Sequence, residues 1–324
     1  LQAFVFSYLA NMKIADIIHV LESIAPPALQ ESYDNAGLLT GNMQWDCTGV
    51  ICSLDATEAV ILEAKQKGCN LVVAHHPIIF GGLKKITGKN YVEKSVIAAI
   101  KNDVAIYAIH TNLDNILTGV NHKMADALGL QNRQILSPKT NLLAKLFTFV
   151  PVAQANEVRN ALFTAGGGHI GNYSECSFNV EGTGTFKAAF DTNPFIGAKG
   201  ERHYEPEIKI EMIFPNYMQN NIIAALKNTH PYEEPAFDIM LLHNEFDRVG
   251  SGLIGELETP AEETYFLEKV KKAFHLDTFR HTKLLGTPVK KVAVCGGAGS
   301  FLIGKAVAAG ADFYISADIK YHEF

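Results

Sequence analysis

The sequence predicts an α/β protein: a two-lobed core with mixed, largely parallel sheets, interrupted by an inserted α+β domain. Strand-like runs alternate with helical patterns between residues 49 and 128 and again after Gly250, as in sheets whose parallel strands are joined by helices. The pattern changes near Pro138, where longer helix–strand passages begin. We therefore expect a first core lobe at 12–137, an inserted domain at 138–245 and a second core lobe at 246–324.

The first lobe opens with a helix from Lys13, because apolar residues recur there every three or four positions until Pro26 and Pro27 end the pattern. Short apolar runs then alternate with helical segments. Strands are predicted at 49–54, 70–74 and 104–109, and helices at 57–67, 92–101 and 121–128.

The inserted domain contains a glycine-rich turn at 165–168 and an alternating strand at 208–214. After Gly250 we expect a helix at 262–274, strands at 290–295 and 313–316, and a helix ending at 309. A weak repeat pairs GCNLVVAHH (68–76) with GADFYISAD (310–318), which would place Asp318 at the position of His76. Chance similarity between two helix-to-strand turns explains the repeat equally well.

Composition is that of a globular protein: of 324 residues, 48% are apolar and 19% are charged. A net charge of −6 and the absence of a Lys/Arg-rich run argue against nucleic acid as a partner. The five cysteines are scattered and form no C-x-x-C pair, so neither a disulfide framework nor a cysteine zinc site is expected. A reducing, cytoplasmic location fits this usage best.

The first ten residues are apolar and uncharged. They lack the basic start of a signal peptide and are too short to span a bilayer, and no other apolar run approaches that length, so no membrane partner is expected. Met12 is interpreted as the natural start, with residues 1–11 as an extension.

Histidines follow two neighbouring predicted strands. His75 and His76 come directly after the second strand, and His110 and Asp114 follow the third. Ligands bind beyond the carboxyl ends of parallel strands, and imidazole with carboxylate suits zinc, manganese or iron. We therefore predict metal ligation by His75, His76 and Asp114, with one ion for each tandem histidine. His110 is either a fourth ligand or an orienting residue behind one.

Other polar segments leave alternatives open. Asp34 and Asn35 precede Gly37 in a loop that is either functional or a simple turn, and Asp55 is either near the site or part of the cap of the next helix. The glycine-rich segment Gly296–Ser300 is interpreted as a tight turn rather than as an anion-binding loop. The rigid acidic segment 230–235 has no assigned purpose, and no G-x-S-x-G or cysteine nucleophile motif is present.

Several segments resemble the GTP cyclohydrolase I type 2 homologue family, also called Nif-three-like. They are ESYDNAGLLTG (31–41), SLDAT (53–57), VVAHHPIIF (72–80), IHTNLDN (109–115) and GGAGS with SADIKYH (296–322). The segments GGGHIGNYSECSF (166–178) and HPYEEPAFDI (230–239) look like the CutA-like (PII-like) insertion of longer members. The resemblance implies a dinuclear metal centre and a toroidal homohexamer.

Carried over by residue, the family's first ligands fall on His75, His76 and Asp114, with His110 close by. The family's remaining ligands, a His and a Glu in a Gly-His motif, lie downstream of SADIKYH. They are expected beyond Phe324. The near-site candidates for positioning water or substrate are Asp34, Asn35, Asp55, Asp318 and His322.

The function expected from these residues is a metal-dependent hydrolase of a nucleotide or a similar small molecule, with two divalent ions. The alternative is a non-enzymatic metal-binding or regulatory ring protein whose inserted domain senses a small effector or directs assembly. The sequence identifies neither the substrate nor the metal.

Overall fold

The computed structural model describes residues 12–324, so the expected extension at 1–11 lies outside the described residues. The described chain divides into two compact units. Residues 12–137 and 248–324 form the core unit, and residues 138–247 form the middle unit. Parallel and antiparallel strand pairs are both present, which confirms the predicted mixed α/β class.

The first lobe of the core unit alternates helices and strands, as predicted. Its helices are α1 (Ile14–Ile24), α2 (Glu58–Gln66), α3 (Tyr91–Lys101), α4 (Thr111–Asp114) and α5 (Val120–Ala127). Its strands are β1 (Gly37–Thr40), β2 (Val50–Asp55), β3 (Leu71–His76) and β4 (Ala105–Ala108), and β5 (Gln131–Lys139) follows α5.

The sheet of this lobe has the order β1-β4-β3-β2. Strands β2, β3 and β4 are parallel, and β1 is antiparallel to β4. The sequence predicts only a polar loop before Gly37 and misses β1, because four residues are too few to display an alternating pattern. The register aligns Asp55 of β2 with His76 of β3, so the polar carboxyl ends of these strands lie side by side.

Both faces of this sheet are covered, which is why β3 and β4 read as continuous apolar runs. Val72, Ala74 and Ile106 pack with residues of α2 and α3 in one buried cluster. Tyr107, on the neighbouring position of β4, is fully buried, and its hydroxyl lies 3.4 Å from Glu22 of α1. Burial of each large aliphatic side chain contributes roughly 1.5–3 kcal/mol, so the strand ends are held by a well-packed core.

The middle unit is an antiparallel sheet with helices. Its elements are β6 (Leu143–Pro151), α6 (Ala155–Thr164), β7 (Phe178–Lys187), β8 (Arg202–Pro215), α7 (Gln219–Thr229) and β9 (Phe237–Leu242). The strand order is β7-β8-β6-β9, with antiparallel pairing throughout. Apolar residues of α6 and α7 pack on β6 and β8 to form one core cluster. The likeness of this unit to CutA stays a prediction.

The second lobe of the core unit contains β10 (Phe246–Ala261), α8 (Glu263–Ala273), β11 (Val289–Cys295), α9 (Ile303–Ala308) and β12 (Phe313–Ser316). Its sheet has the order β12-β11-β10-β5. The pair β11–β12 is parallel, as predicted, whereas β10–β11 is antiparallel, so this sheet is less parallel than expected. Within residues 12–324, no helix combines the length and apolar character that crossing a membrane requires.

Candidate metal centre

The carboxyl ends of β3 and β4 bring three histidines together. His75 and His76 are the last residues of β3, and His110 lies two residues beyond the end of β4, immediately before α4. One ring nitrogen from each histidine can be chosen so that all three lie within 4.8 Å of one another. The ring centroids of His75 lie 5.1 Å from those of both His76 and His110. These three side chains could hold a metal ion.

Each of these histidines has an oxygen partner at Nδ1. His75 Nδ1 lies 2.9 Å from the carbonyl oxygen of Ile109, and His76 Nδ1 lies 2.9 Å from Oδ1 of Asp55. The Nδ1 atom of His110 lies 2.8 Å from Oδ1 of Asp34. Because carbonyl and carboxylate oxygens accept hydrogen bonds, we assign the proton of all three rings to Nδ1. Each Nε2 atom then keeps a lone pair that can coordinate a metal ion.

Asp34 is a buried anchor for His110. Its side chain has no exposed surface, and its oxygens also accept hydrogen bonds from the Thr111 amide at 3.0 Å, the Thr111 hydroxyl and the Asn35 amide at 2.7 Å. Burial alone would raise the pKa of Asp34, but the hydrogen bonds from Thr111 and His110 outweigh it and lower this pKa below its ordinary value. Asp34 is therefore a carboxylate acceptor that orients a histidine.

Asp55 has the corresponding position behind His76. In the Asp55-x-Thr57 segment the cap of α2 is Thr57, whose side chain accepts a hydrogen bond from the Val60 amide at 3.4 Å, whereas Asp55 lies beside His76. Asp55 is more open than Asp34, with 56% of its side chain exposed. Its hold on His76 is therefore weaker than that of Asp34 on His110.

Asp114 approaches the cluster from α4. The short helix begins at the His110 carbonyl, which accepts the Asp114 amide at 3.1 Å, and this turn directs the carboxylate toward His75. Oδ1 of Asp114 lies 3.8 Å from Nε2 of His75. Burial, together with the nearby charge of Asp34, raises the pKa of Asp114 to about 6. Burial and the neighbouring imidazoles lower the pKa of His75, so its ring stays neutral near pH 7.

Asn121 links this ligand loop to the second lobe of the core unit. Its amide nitrogen donates to the carbonyl oxygen of Asp114 at 3.0 Å, and its amide oxygen accepts the Gly296 amide at 2.8 Å. Gly296 begins the predicted tight turn, in which the Gly297 carbonyl accepts hydrogen bonds from the Ser316 hydroxyl and the Asp318 amide. The turn is thus tied to the end of β12 and the residues that follow it.

The remaining candidates have other surroundings. Asn35 donates through its side-chain nitrogen to the Ile79 carbonyl at 2.6 Å, which ties the loop before β1 to the loop after β3. Among the described residues, Asp318 and His322 are exposed and have no hydrogen bond or ion pair with the three histidines. Their role near the site stays a prediction.

Sequence reasoning missed Thr111 and Asn121 as parts of the site. The Thr111 hydroxyl accepts the Glu31 amide at 2.8 Å while donating to Asp34, and thereby joins two loops that lie 80 residues apart. Thr111 stands in the HTNLD segment itself, so its polar side chain beside a candidate ligand was a usable signal. Asn121 has no local signal, because its partners lie in the Asp114 loop and in the distant Gly296 turn.

Comparison with known proteins gives the family. A family model described as Duf34/NIF3 (NGG1p interacting factor 3) matches residues 12–324. The chain belongs to the DUF34/NIF3 family. The resemblance drawn from the motifs is therefore confirmed at the level of the family.

Curated relatives of the chain carry the name GTP cyclohydrolase 1 type 2 homolog. The protein from Halalkalibacterium halodurans is 44% identical over 315 residues, covering 96% of this chain and 85% of the relative. The protein from Bacillus subtilis is 38% identical over 307 residues, covering 94% of this chain and 82% of the relative. A solved structure of a Bacillus cereus protein related to NIF3 has a TM-score of 0.84 at 41% identity, covering 96% of this chain and 84% of that one.

Proposed function

We propose that this protein is a metal-dependent hydrolase that acts on a nucleotide or a similar heterocyclic small molecule with a pair of divalent ions. The observation that carries the proposal is the convergence of three imidazoles whose Nδ1 protons are all engaged, beside the carboxylate of Asp114. Three Nε2 atoms and a carboxylate form a donor set that suits zinc, manganese or iron.

The residues that would hold the ions are His75, His76, His110 and Asp114. The imidazole nitrogens and the carboxylate of Asp114 would supply the protein ligands. Bound divalent ions would lower the pKa of a coordinated water and polarise the substrate's oxygen. Asp34 and Asp55 hold the imidazole rings in fixed orientations, so the ligand nitrogens need little reorganisation on binding.

Two exposed aromatic rings at the edge of the cluster support a planar substrate. Phe80 packs edge-on against His110 with centroids 6.4 Å apart, and Tyr33 lies 6.3 Å from Phe80. Their exposed fractions are 54% and 64%, so both rings are accessible. Burial and the charges of Glu31, Asp34 and Asp114 raise the pKa of Tyr33, whose hydroxyl therefore stays protonated near the acidic groups. A nucleobase can stack on such rings.

The test is a metal-replete screen of the full chain over nucleotides and phosphodiesters, with product detection by chromatography. We expect turnover that His75→Ala abolishes and that removal of metal with a chelator also abolishes. Substrate affinity should fall in Phe80→Ala but not in Tyr265→Ala, which removes a more exposed ring from α8. Turnover that survives in His75→Ala would refute the assignment of the reaction to this centre.

A second candidate is a metal-binding regulatory protein that self-associates into a ring. The observation that favours it is the middle unit, which has its own hydrophobic core and its own cavity. Tight metal binding, a native mass of several chains and no turnover on any substrate would favour this candidate over the hydrolase.

A further inference from the structure

A cavity of about 720 Å³ lies entirely within the middle unit. Its walls are strand β7, the segment that follows β7, and the loop that follows α7. The last of these contains the rigid acidic segment 230–235, for which the sequence provides no purpose. A hydrogen bond from the Asn193 amide to Glu233 at 3.0 Å joins two of the walls. The volume is in the range of cavities that bind small organic molecules.

Aromatic rings form much of the apolar lining. Phe186 lies at the end of β7 and Phe195 lies in the segment that follows it. Their ring centroids are 5.8 Å and 6.3 Å, respectively, from that of Tyr232. Phe149 also lines the cavity. Aromatic faces carry partial negative charge, so a group of rings around one space attracts a cation as well as an apolar body.

A buried carboxylate reaches the same space. Glu207 of β8 lines the cavity and is only 8% exposed, and its Oε1 accepts a hydrogen bond from the Tyr232 hydroxyl at 2.8 Å. Gly184 on the paired strand leaves the room that this carboxylate needs, because a side chain at position 184 would overlap Glu207. Burial and Glu207 raise the pKa of Tyr232, so its hydroxyl remains a donor.

The other charges of the lining are also mainly negative. Four glutamates and two lysines line the cavity, namely Glu181, Glu207, Glu233, Glu234, Lys187 and Lys209. Lys209 is already paired, with its ammonium 2.7 Å from Glu211 and 4.7 Å from the centroid of the Phe147 ring. The cavity is thus acidic in sum, which disfavours anionic ligands such as nucleotides.

We propose that this cavity binds an organic cation, an ammonium group carried on an apolar body. An ammonium that leaves water loses its hydration, and here Glu207 and the aromatic faces would compensate for that loss. A bare divalent ion is a poorer fit, because it requires several converging oxygen ligands rather than apolar rings. The site is separate from the histidine cluster, so its occupancy does not depend on the proposed hydrolase activity.

The test uses the full chain, with choline and benzyltrimethylammonium as cationic probes and 3,3-dimethyl-1-butanol as the neutral isostere of choline. Binding is measured by calorimetry and by saturation-transfer NMR. We expect saturable binding of one cation per chain, no detectable binding of the neutral isostere, and the same affinity in metal-free and metal-loaded protein. Absence of saturable cation binding, or equal binding of the neutral isostere, would overturn the proposal.

Variants identify the groups responsible. Glu207→Gln keeps the shape and the acceptor for Tyr232 but removes the charge, and it should weaken cation binding at least tenfold. Glu245→Gln is the matched control, since Glu245 is exposed and does not line the cavity. If Glu207→Gln fails to fold by circular dichroism, Phe195→Ala provides the second test, because this ring is 54% exposed and lies in a loop segment. Unchanged affinity in a folded Glu207→Gln, or in Phe195→Ala, contradicts the assignment.

Discussion

Nδ1 of His110 donates a hydrogen bond to Oδ1 of Asp34 over 2.8 Å, although 76 residues separate the two in the chain. The contact makes the orientation of a candidate metal ligand depend on a loop that precedes the first strand. It also gives Asp34, whose side chain is fully buried, a role that can be tested apart from that of the ligands themselves.

Asp34→Asn should weaken metal binding by roughly 10- to 100-fold while leaving the ligands in place, since outer carboxylates orient imidazoles at about this magnitude. In the variant, the side-chain nitrogen of the new asparagine would face the Thr111 amide and hydroxyl, which are donors and would lose their acceptor. We therefore expect the free energy of unfolding to fall by about 1–3 kcal/mol. Competition with a chromogenic chelator measures affinity, and urea denaturation measures stability. Asp46→Asn, at an exposed aspartate paired with Lys13, should change neither.

His76→Ala and Asp114→Ala should each lose bound metal without unfolding. Both side chains are partly exposed and neither belongs to an apolar cluster, so their removal leaves the core intact. Metal per chain is measured by mass spectrometry after dialysis, and folding by thermal melting. His19→Ala, at an exposed position of α1, is the control. Wild-type metal content in both variants would contradict their assignment as ligands.

Deletion of residues 140–244 with a short linker should leave a folded core that binds metal. Strands β5 and β10 are neighbours in the sheet. Gly252 of β10 lies near Leu136 of β5, and Gly255 lies near the Gln131 carbonyl, so the residue numbers rise on one strand as they fall on the other. The two strands are therefore antiparallel. The chain therefore leaves and re-enters the core unit on neighbouring strands, and a linker can join them. Cooperative unfolding and metal content report the outcome. A variant that shows neither would establish that the middle unit is required for the core to fold.

Glu93→Gln should destabilise the protein at neutral pH, with an effect that shrinks in acid. The Glu93 carboxylate accepts hydrogen bonds from the Lys89 amide and from the amide and hydroxyl of Thr87, which lower its pKa to about 2. Since the folded-state pKa lies below the unfolded value of about 4.3, the stabilisation is complete above pH ~5 and is lost as pH falls toward 2.

Urea midpoints of wild type and Glu93→Gln, compared at pH 7 and pH 3, measure this effect. The difference between the two proteins should be smaller at pH 3. Glu258→Gln, at an exposed glutamate, should track wild type at both pH values. An equal difference at both pH values would show that the loop after β3 does not depend on the charge of Glu93.

The sequence predicts the strand ends and the histidines well, because both depend on local patterns. Apolar runs identify β3 and β4, and the tandem histidines follow directly. The partners of those histidines are not local. Asp34 and Asp55 reach His110 and His76 only after the sheet has formed, so a single sequence can mark them as polar loop residues but cannot pair them.

Short elements were the other limit of prediction. β1 and α4 have four residues each, too few for any hydrophobic period to appear. Short length does not explain every omission, because the prediction also lacks β5 and the longer β10, and with β10 its antiparallel pairing with β11. Strand direction depends on where the chain re-enters the sheet, and β10 follows a middle unit of more than a hundred residues rather than a simple helical crossover.

The side chain of Asn121 makes the position of Asp114 depend on the second lobe. One end of that side chain holds the backbone of Asp114, and the other end holds Gly296 in the second lobe. A gene that retained only the first lobe would inherit His75 and His76 intact but would lose one end of the bridge that fixes Asp114. The candidate ligand loop therefore depends on a glycine turn that donates no ligand, through the backbone amide of residue 296, and of the substitutions at that position only proline would remove the donor.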